Sequence, residues 1–191
     1  MDARPLFFTT LVLVFVGACS NKHYVKRYDG KHETRQRLSR SENITTTKPK
    51  QGTAPSERCE SLLPLFEHAS RETGVELALL VGLVRVESNF RNDVKSSAGA
   101  RGLTQVMDVT AKAYKCESLD DPYENIVCGA RVLKSLLKAC EGDLILALSA
   151  YNAGLATIKE GNEARSLPVN MGYVEGVLWS RSRFLLNGCD F

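Results

Sequence analysis

The chain has 191 residues and a formal net charge of +3, a length that fits about one domain. The charge averages two unlike parts: residues 20–58 carry ten Lys/Arg and four Asp/Glu, whereas residues 59–191 carry fourteen and seventeen. The larger part is mildly acidic, so no nucleic-acid partner is expected for it. Six cysteines and three histidines are present, but no two cysteines lie two to four apart, which argues against a zinc site.

At the start of the chain, Leu6 to Gly17 form an apolar run of twelve residues, followed by Ala18 and Cys19. That run is too short to span a bilayer and has the length of a signal-peptide core. The segment Val16-Gly17-Ala18-Cys19 resembles a bacterial lipobox. The resemblance implies cleavage after residue 18, lipidation of Cys19, and a membrane partner reached through that anchor. Ser20 follows in place of the Asp that retains such proteins at the inner membrane, which implies the periplasmic face of the outer membrane. Residues 19–58 contain few large apolar side chains and a Thr/Lys/Pro/Gly stretch from Thr45 to Pro55. Such a segment cannot bury enough surface to offset its ordering entropy, so it reads as a disordered basic tether.

Residues 59–191 read as one all-α domain, without alternating strands or an internal repeat. Leu62, Leu63, Leu65, Phe66 and Ala69 fall near helical spacing, with Gly74 as a stop. Ser61 is the expected cap, which places Pro64 in the first turn, where proline is tolerated. From Leu77 to Ser88 the chain is apolar nearly all round, the pattern of a core helix, with Glu87 as the exception near its end. A Gly/Ser-rich loop follows to Gly102. Asp121-Pro122-Tyr123-Glu124 is a helix start: Asp caps, Pro takes the first helical position and Glu can reach back. That helix runs to about Cys140 and turns Val127, Ala130, Val132, Leu133, Leu136 and Leu137 inward. Leu144 to Tyr151 forms another helix, and the last runs from about Asn170 to Leu186.

With Cys19 assigned to lipid, five cysteines remain. At least one is then free or pairs outside the chain. Cys116 and Cys128 are the preferred bridge, closing a short loop. A second bridge among Cys59, Cys140 and Cys189 would tie the ends of the domain together, with the pair left open.

A carboxyl group that ends a helix of Leu and Val is disfavoured in its charged form, and its pKa rises. Glu87 is therefore a candidate proton donor near neutral pH, the group that breaking a glycosidic bond requires. The competing structural role is an ion pair with Arg85 or Arg101. Three blocks bear on this choice. Glu87-Ser88 is followed by Ser96-Ser97-Ala98-Gly99-Ala100-Arg101-Gly102-Leu103-Thr104-Gln105, then by Ala150-Tyr151-Asn152-Ala153-Gly154, and finally by Leu167-Pro168 with Tyr173. In this order they resemble the family 1 lytic transglycosylases, whose catalytic domain is lysozyme-like and related to goose-type lysozyme. The resemblance covers roughly residues 60 to 186.

The resemblance implies an enzyme whose partner is the glycan strand of peptidoglycan, needing no metal or organic cofactor. Glu87 matches the catalytic acid and base. Ser96 matches a serine near the acetamido group of the substrate. Gln105, Tyr151 and Asn152 match residues lining the cleft, and Tyr173 matches the tyrosine that orients the glutamate. Thr104 stands where the family usually has Met, and Val169-Asn170-Met171 replaces its Glu-Thr-Arg run. Ordinary glycosidases use two carboxyl groups, but no second acid lies within the matched blocks. In the family the N-acetyl group of N-acetylmuramic acid assists bond cleavage. The sugar's own 6-hydroxyl then closes onto C1, leaving a 1,6-anhydro end. The alternatives are a lysozyme-type hydrolase on the same fold, or a catalytically silent wall-binding scaffold.

Overall fold

The computed structural model describes residues 54–157, 168 and 170–191. The signal segment, Cys19 and nearly all of the basic tether lie outside the described residues. Among the described residues the secondary structure is helical: α1 (Pro55–Thr73), α2 (Leu77–Ser88), α3 (Asp108–Ala113), α4 (Pro122–Ala139), α5 (Leu144–Ala153), a 3-10 turn (Leu155–Thr157) and α6 (Met171–Asn187). Isolated bridges Lys95–Arg101 and Arg101–Val106 are the extended pairing within this part of the chain. The all-α expectation therefore holds.

The first helix begins earlier than its apolar pattern suggests. Pro55 takes the first helical position, and the Glu57 carboxylate accepts from the Ala54 N–H at 3.2 Å. Ser61 is thus not the cap; its hydroxyl donates to the Arg58 carbonyl at 2.8 Å. Pro64 lies inside the helix rather than in its first turn. It has no N–H to offer the Glu60 carbonyl, but both residues face solvent, where water can replace the lost bond. The polar residues Pro55 to Arg58 carry no apolar periodicity, which is why the pattern placed the domain edge at Cys59.

The α2 and α4 boundaries lie where their patterns put them. At the start of α4 the Asp121 carboxylate accepts from the Glu124 N–H at 3.0 Å. The Leu137 side chain is only half-buried, whereas Val127, Ala130, Val132, Leu133 and Leu136 are buried as expected. The short helix α3 escaped notice because it buries only Ala111; six residues with one inward side chain leave no periodicity to read.

Helix α2 forms the centre of the core, with Leu80, Val81, Leu83 and Val84 fully buried. It lies antiparallel to α6. At one end the Arg181 guanidinium forks onto the Glu76 carboxylate at 2.7 and 2.8 Å; at the other, Tyr173 meets Glu87. Between them, Gly82 permits the close approach. A Cβ there would stand 2.7 Å from the Val177 carbonyl oxygen and 2.8 Å from the Arg181 nitrogen, and backbone cannot step aside as a side chain can.

The Cys116–Cys128 bridge forms as expected, fastening the segment after α3 to α4. The second bridge is Cys59–Cys189, which spans 130 residues and ties α1 to the end of the chain. Cys140 is buried and is disulfide-bonded as well, so no described cysteine is free, contrary to the expectation of one left without a partner in the chain.

Candidate active site

Glu87 occupies the last turn of α2, half-buried. The backbone turns immediately beyond it. Asn89 and Phe90 both have positive φ, 53° and 62°, an arrangement that is costly for side chains with a Cβ and that tends to gather at functional sites. Two contacts hold this turn. Arg58 of α1 donates to the Asn89 carbonyl from Nε and Nη2 at 3.2 and 3.0 Å. Phe90 is buried edge-on against Phe66 and Phe191.

Burial pushes the Glu87 carboxyl up to about 7, partly opposed by the Tyr173 hydroxyl, which donates to Oε1 at 2.5 Å. Among the described residues no neighbouring carboxylate or cation contributes to this rise. The ion pairs weighed as the alternative do not form. Arg101 bonds Asp120 at 3.0 Å and Asp108 at 3.4 Å, and the Arg85 guanidinium sits over the Phe191 ring at 5.8 Å. Glu87 is thus a carboxylic acid substantially protonated near neutral pH, with one phenol oriented toward it. Tyr151 also senses it: burial raises the phenol's pKa first, and the Glu87 charge raises it further. Its hydroxyl donates to the Thr104 carbonyl at 2.9 Å. Burial and the same carboxylate likewise keep Tyr173 neutral.

The loop of residues 89–107 contributes differently. Ser96 closes a turn, its hydroxyl accepting from the Ala100 N–H at 2.9 Å. Gln105 has φ 49°, and its amide nitrogen donates to the carbonyls of Gly102 and Val94 at 2.9 and 3.1 Å. These bonds are internal to the loop, so both side chains shape it. Asn152 is exposed on α5 and accepts from Asn170 at 3.0 Å. The structure therefore brings Glu87, Tyr173 and Tyr151 together. Among the described residues, Ser96, Gln105 and Asn152 make no hydrogen bond to that group.

Two residues went unrecognised in the sequence. Asn125, fully buried on α4, holds the loop: its Oδ1 accepts from the Thr104 N–H at 2.8 Å, and its amide nitrogen donates to the carbonyls of Leu119 and Arg101 at 2.9 and 3.0 Å. A lone amide on the buried stripe between Pro122 and Ile126 was the available signal. Gly102 is required beside it, with φ 76° and no room for a Cβ against the Asn125 side chain. The second is Asn170, which reaches Ser149 and Asn152 on α5. Thr104, standing where the family usually has Met, is fully buried against Asn125, its hydroxyl 2.7 Å from Oδ1. Its side chain packs into the domain.

A family model described as the Transglycosylase SLT domain matches residues 64–167, more than half of the chain. The chain belongs to this family. A transglycosylase of Enterobacteria phage PRD1 is 35% identical over 100 residues, 52% of this chain and 37% of the phage protein. Membrane-bound lytic murein transglycosylase F of Cellvibrio japonicus is 32% identical over 113 residues, 56% of this chain and 22% of that protein. Among solved structures, an inactive mutant of the lytic transglycosylase Slt from Pseudomonas aeruginosa superposes with a TM-score of 0.57 at 25% identity, covering 65% of this chain and 24% of that one. The 70 kDa soluble lytic transglycosylase of Escherichia coli shares the fold, with a TM-score of 0.58 at 20% identity over 70% of this chain and 28% of that one. This SLT-family chain thus spans well under half the length of these relatives.

Proposed function

We propose that this chain cuts the glycan strands of peptidoglycan as a lytic transglycosylase, with Glu87 as its single acid and base. The observation that carries the reading is a half-buried carboxyl group, pushed up to about 7 by burial and held by Tyr173, with no second carboxylate acting on it among the described residues. The names of the relatives point to the same substrate. Glu87 protonates the oxygen bridging N-acetylmuramic acid to N-acetylglucosamine as the C1–O bond breaks, and the N-acetyl oxygen of the muramic sugar bonds C1 in its place. Glu87, now a carboxylate, takes the proton of the 6-hydroxyl. The O6–C1 bond forms, the N-acetyl oxygen leaves, and a 1,6-anhydro end remains without consumption of water. Tyr173 orients Glu87 and favours the ionised form it must reach midway. Tyr151 and Asn152 line the sugar path, and Ser96 and Gln105 present the loop to it. A single carboxyl group at the site among the described residues favours this course over hydrolysis, which commonly employs two.

Glu87→Gln should lower the cleavage of purified sacculi by at least about a thousandfold while leaving binding in place. Cleavage at the wild-type rate would remove Glu87 from the mechanism. Mass spectrometry of the wild-type digest separates the two nucleophiles, because an anhydro end is lighter than a reducing end by one water, about 18 Da. Anchoring through Cys19 at the periplasmic face of the outer membrane belongs to the same proposal. Cys19→Ser should then release the protein from envelope membranes into the soluble fraction.

A further inference from the structure

We propose that Asn170 is a positioning residue for this reaction, clamping α5 to the first turn of α6 so that Tyr173 keeps its bond to Glu87. The inference rests on the reading of Glu87 as the acid.

Asn170 is the N-cap residue of α6, yet its side chain makes no bond to that helix. An asparagine at this place ordinarily satisfies the free N–H groups of its own first turn. Here the carboxamide crosses to α5 instead. Its Oδ1 accepts from the Ser149 hydroxyl at 2.6 Å, and its Nδ2 donates to the Ser149 carbonyl at 3.1 Å and to Asn152 Oδ1 at 3.0 Å. Ser149 is buried, and its helix carries Tyr151. A carboxamide offers two N–H donors and one oxygen, and all three are engaged. The Asn170 carbonyl in turn accepts from the Tyr173 N–H at 2.9 Å. A displacement of Asn170 is therefore a displacement of Tyr173, one helical turn away.

The geometry makes this consequential. Two tyrosines address the Glu87 carboxyl group, Tyr173 from α6 and Tyr151 from α5. Tyr151 is tied to the Thr104 carbonyl, so α5 is registered against the loop. Asn170 registers α6 against α5 and thereby places the second tyrosine relative to the first.

The test compares Asn170→Ala, Ser149→Ala and Tyr173→Phe in the full chain, with kcat, KM and the pH–rate profile measured on isolated glycan strands. Tyr173 draws the Glu87 pKa down, so loosening it moves the alkaline limb of activity to higher pH. Asn170→Ala is expected to lower kcat about tenfold with KM within about twofold, and to shift that limb in the same direction as Tyr173→Phe. Ser149→Ala, which deletes one of the three bonds, should shift it less. An Asn170→Ala protein that melts earlier but keeps kcat and the limb unchanged overturns the inference. If that variant does not fold, Ser149→Ala decides: a shifted limb supports the clamp and an unshifted one overturns it. Glu87→Gln, assayed alongside, separates the two levels. A dead Glu87→Gln with an indifferent Asn170→Ala sinks only the clamp, whereas an active Glu87→Gln sinks the acid assignment beneath it.

Discussion

On one side of the site, Glu87 stands where α2 meets α6, half-buried and bonded by the Tyr173 phenol; on the other, the loop of residues 89–107 hangs from Asn125 on α4 by a set of buried hydrogen bonds. The first side works by withholding polar partners. With no cation acting on it among the described residues, burial raises the pKa of Glu87 to about 7. The second side works by supplying them. A loop of glycines and serines has no apolar face of its own, and its backbone groups must be met one by one or remain unsatisfied inside the protein. The site thus joins a strained electrostatic element to a satisfied one, and comparable substitutions act on them with opposite sign.

The sharpest way to break the comparison is to separate α2 from α6. Gly82→Ala drives a methyl into the backbone of Val177 and Arg181, and should cost about 3 kcal/mol or more of stability. Activity should fall with it, because Glu87 and Tyr173 lie on the two helices forced apart. Urea unfolding and a cleavage assay measure both; wild-type values in each would show that the helices can repack around the methyl.

Asn125→Ala tests the loop side. It removes the bonds to the Thr104 N–H and to the carbonyls of Leu119 and Arg101, the last of which keeps only the Val106 N–H, at a cost of about 2 to 3 kcal/mol. KM should rise while the pH of the alkaline limb stays put, since Glu87 is untouched. A moved limb with unchanged KM would merge the two sides that the comparison keeps apart.

The smallest effect has the opposite sign. Glu87 is raised from 4.5 to about 7 in the folded protein. Below about pH 4 the group is protonated whether folded or not and contributes nothing. As the pH climbs toward 7 the unfolded chain ionises first, so stability falls across that window and the full penalty persists above it. Glu87→Gln should therefore stabilise the protein by about 2 kcal/mol at pH 8, with the gain vanishing near pH 4. An equal gain at both pH values in chemical denaturation would mean that burial does not set the charge of Glu87.

Much of this was legible beforehand for physical reasons that differ by element. Helices α2 and α4 repeat apolar residues over three or more turns, and Asp121-Pro122 carries its own start signal, so local chemistry determined their ends. Glu87 stood out as one carboxylate in an apolar helix. Helix α3 and the first turn of α1 were invisible because they bury little or nothing.

The sequence by itself determined the helical class, the one carboxyl group set in the apolar core helix, the Cys116–Cys128 bridge and the ordered blocks that mark the family, all features written in nearest-neighbour chemistry or short spacing. Tertiary structure alone decided which cysteine joins Cys59, that Arg101 turns to Asp108 and Asp120 instead of Glu87, and that Asn125 and Asn170 hold the two halves of the site. These are contacts between residues far apart in the chain. An asparagine or arginine can satisfy its hydrogen bonds with many partners, and only the packing of whole helices selects among them.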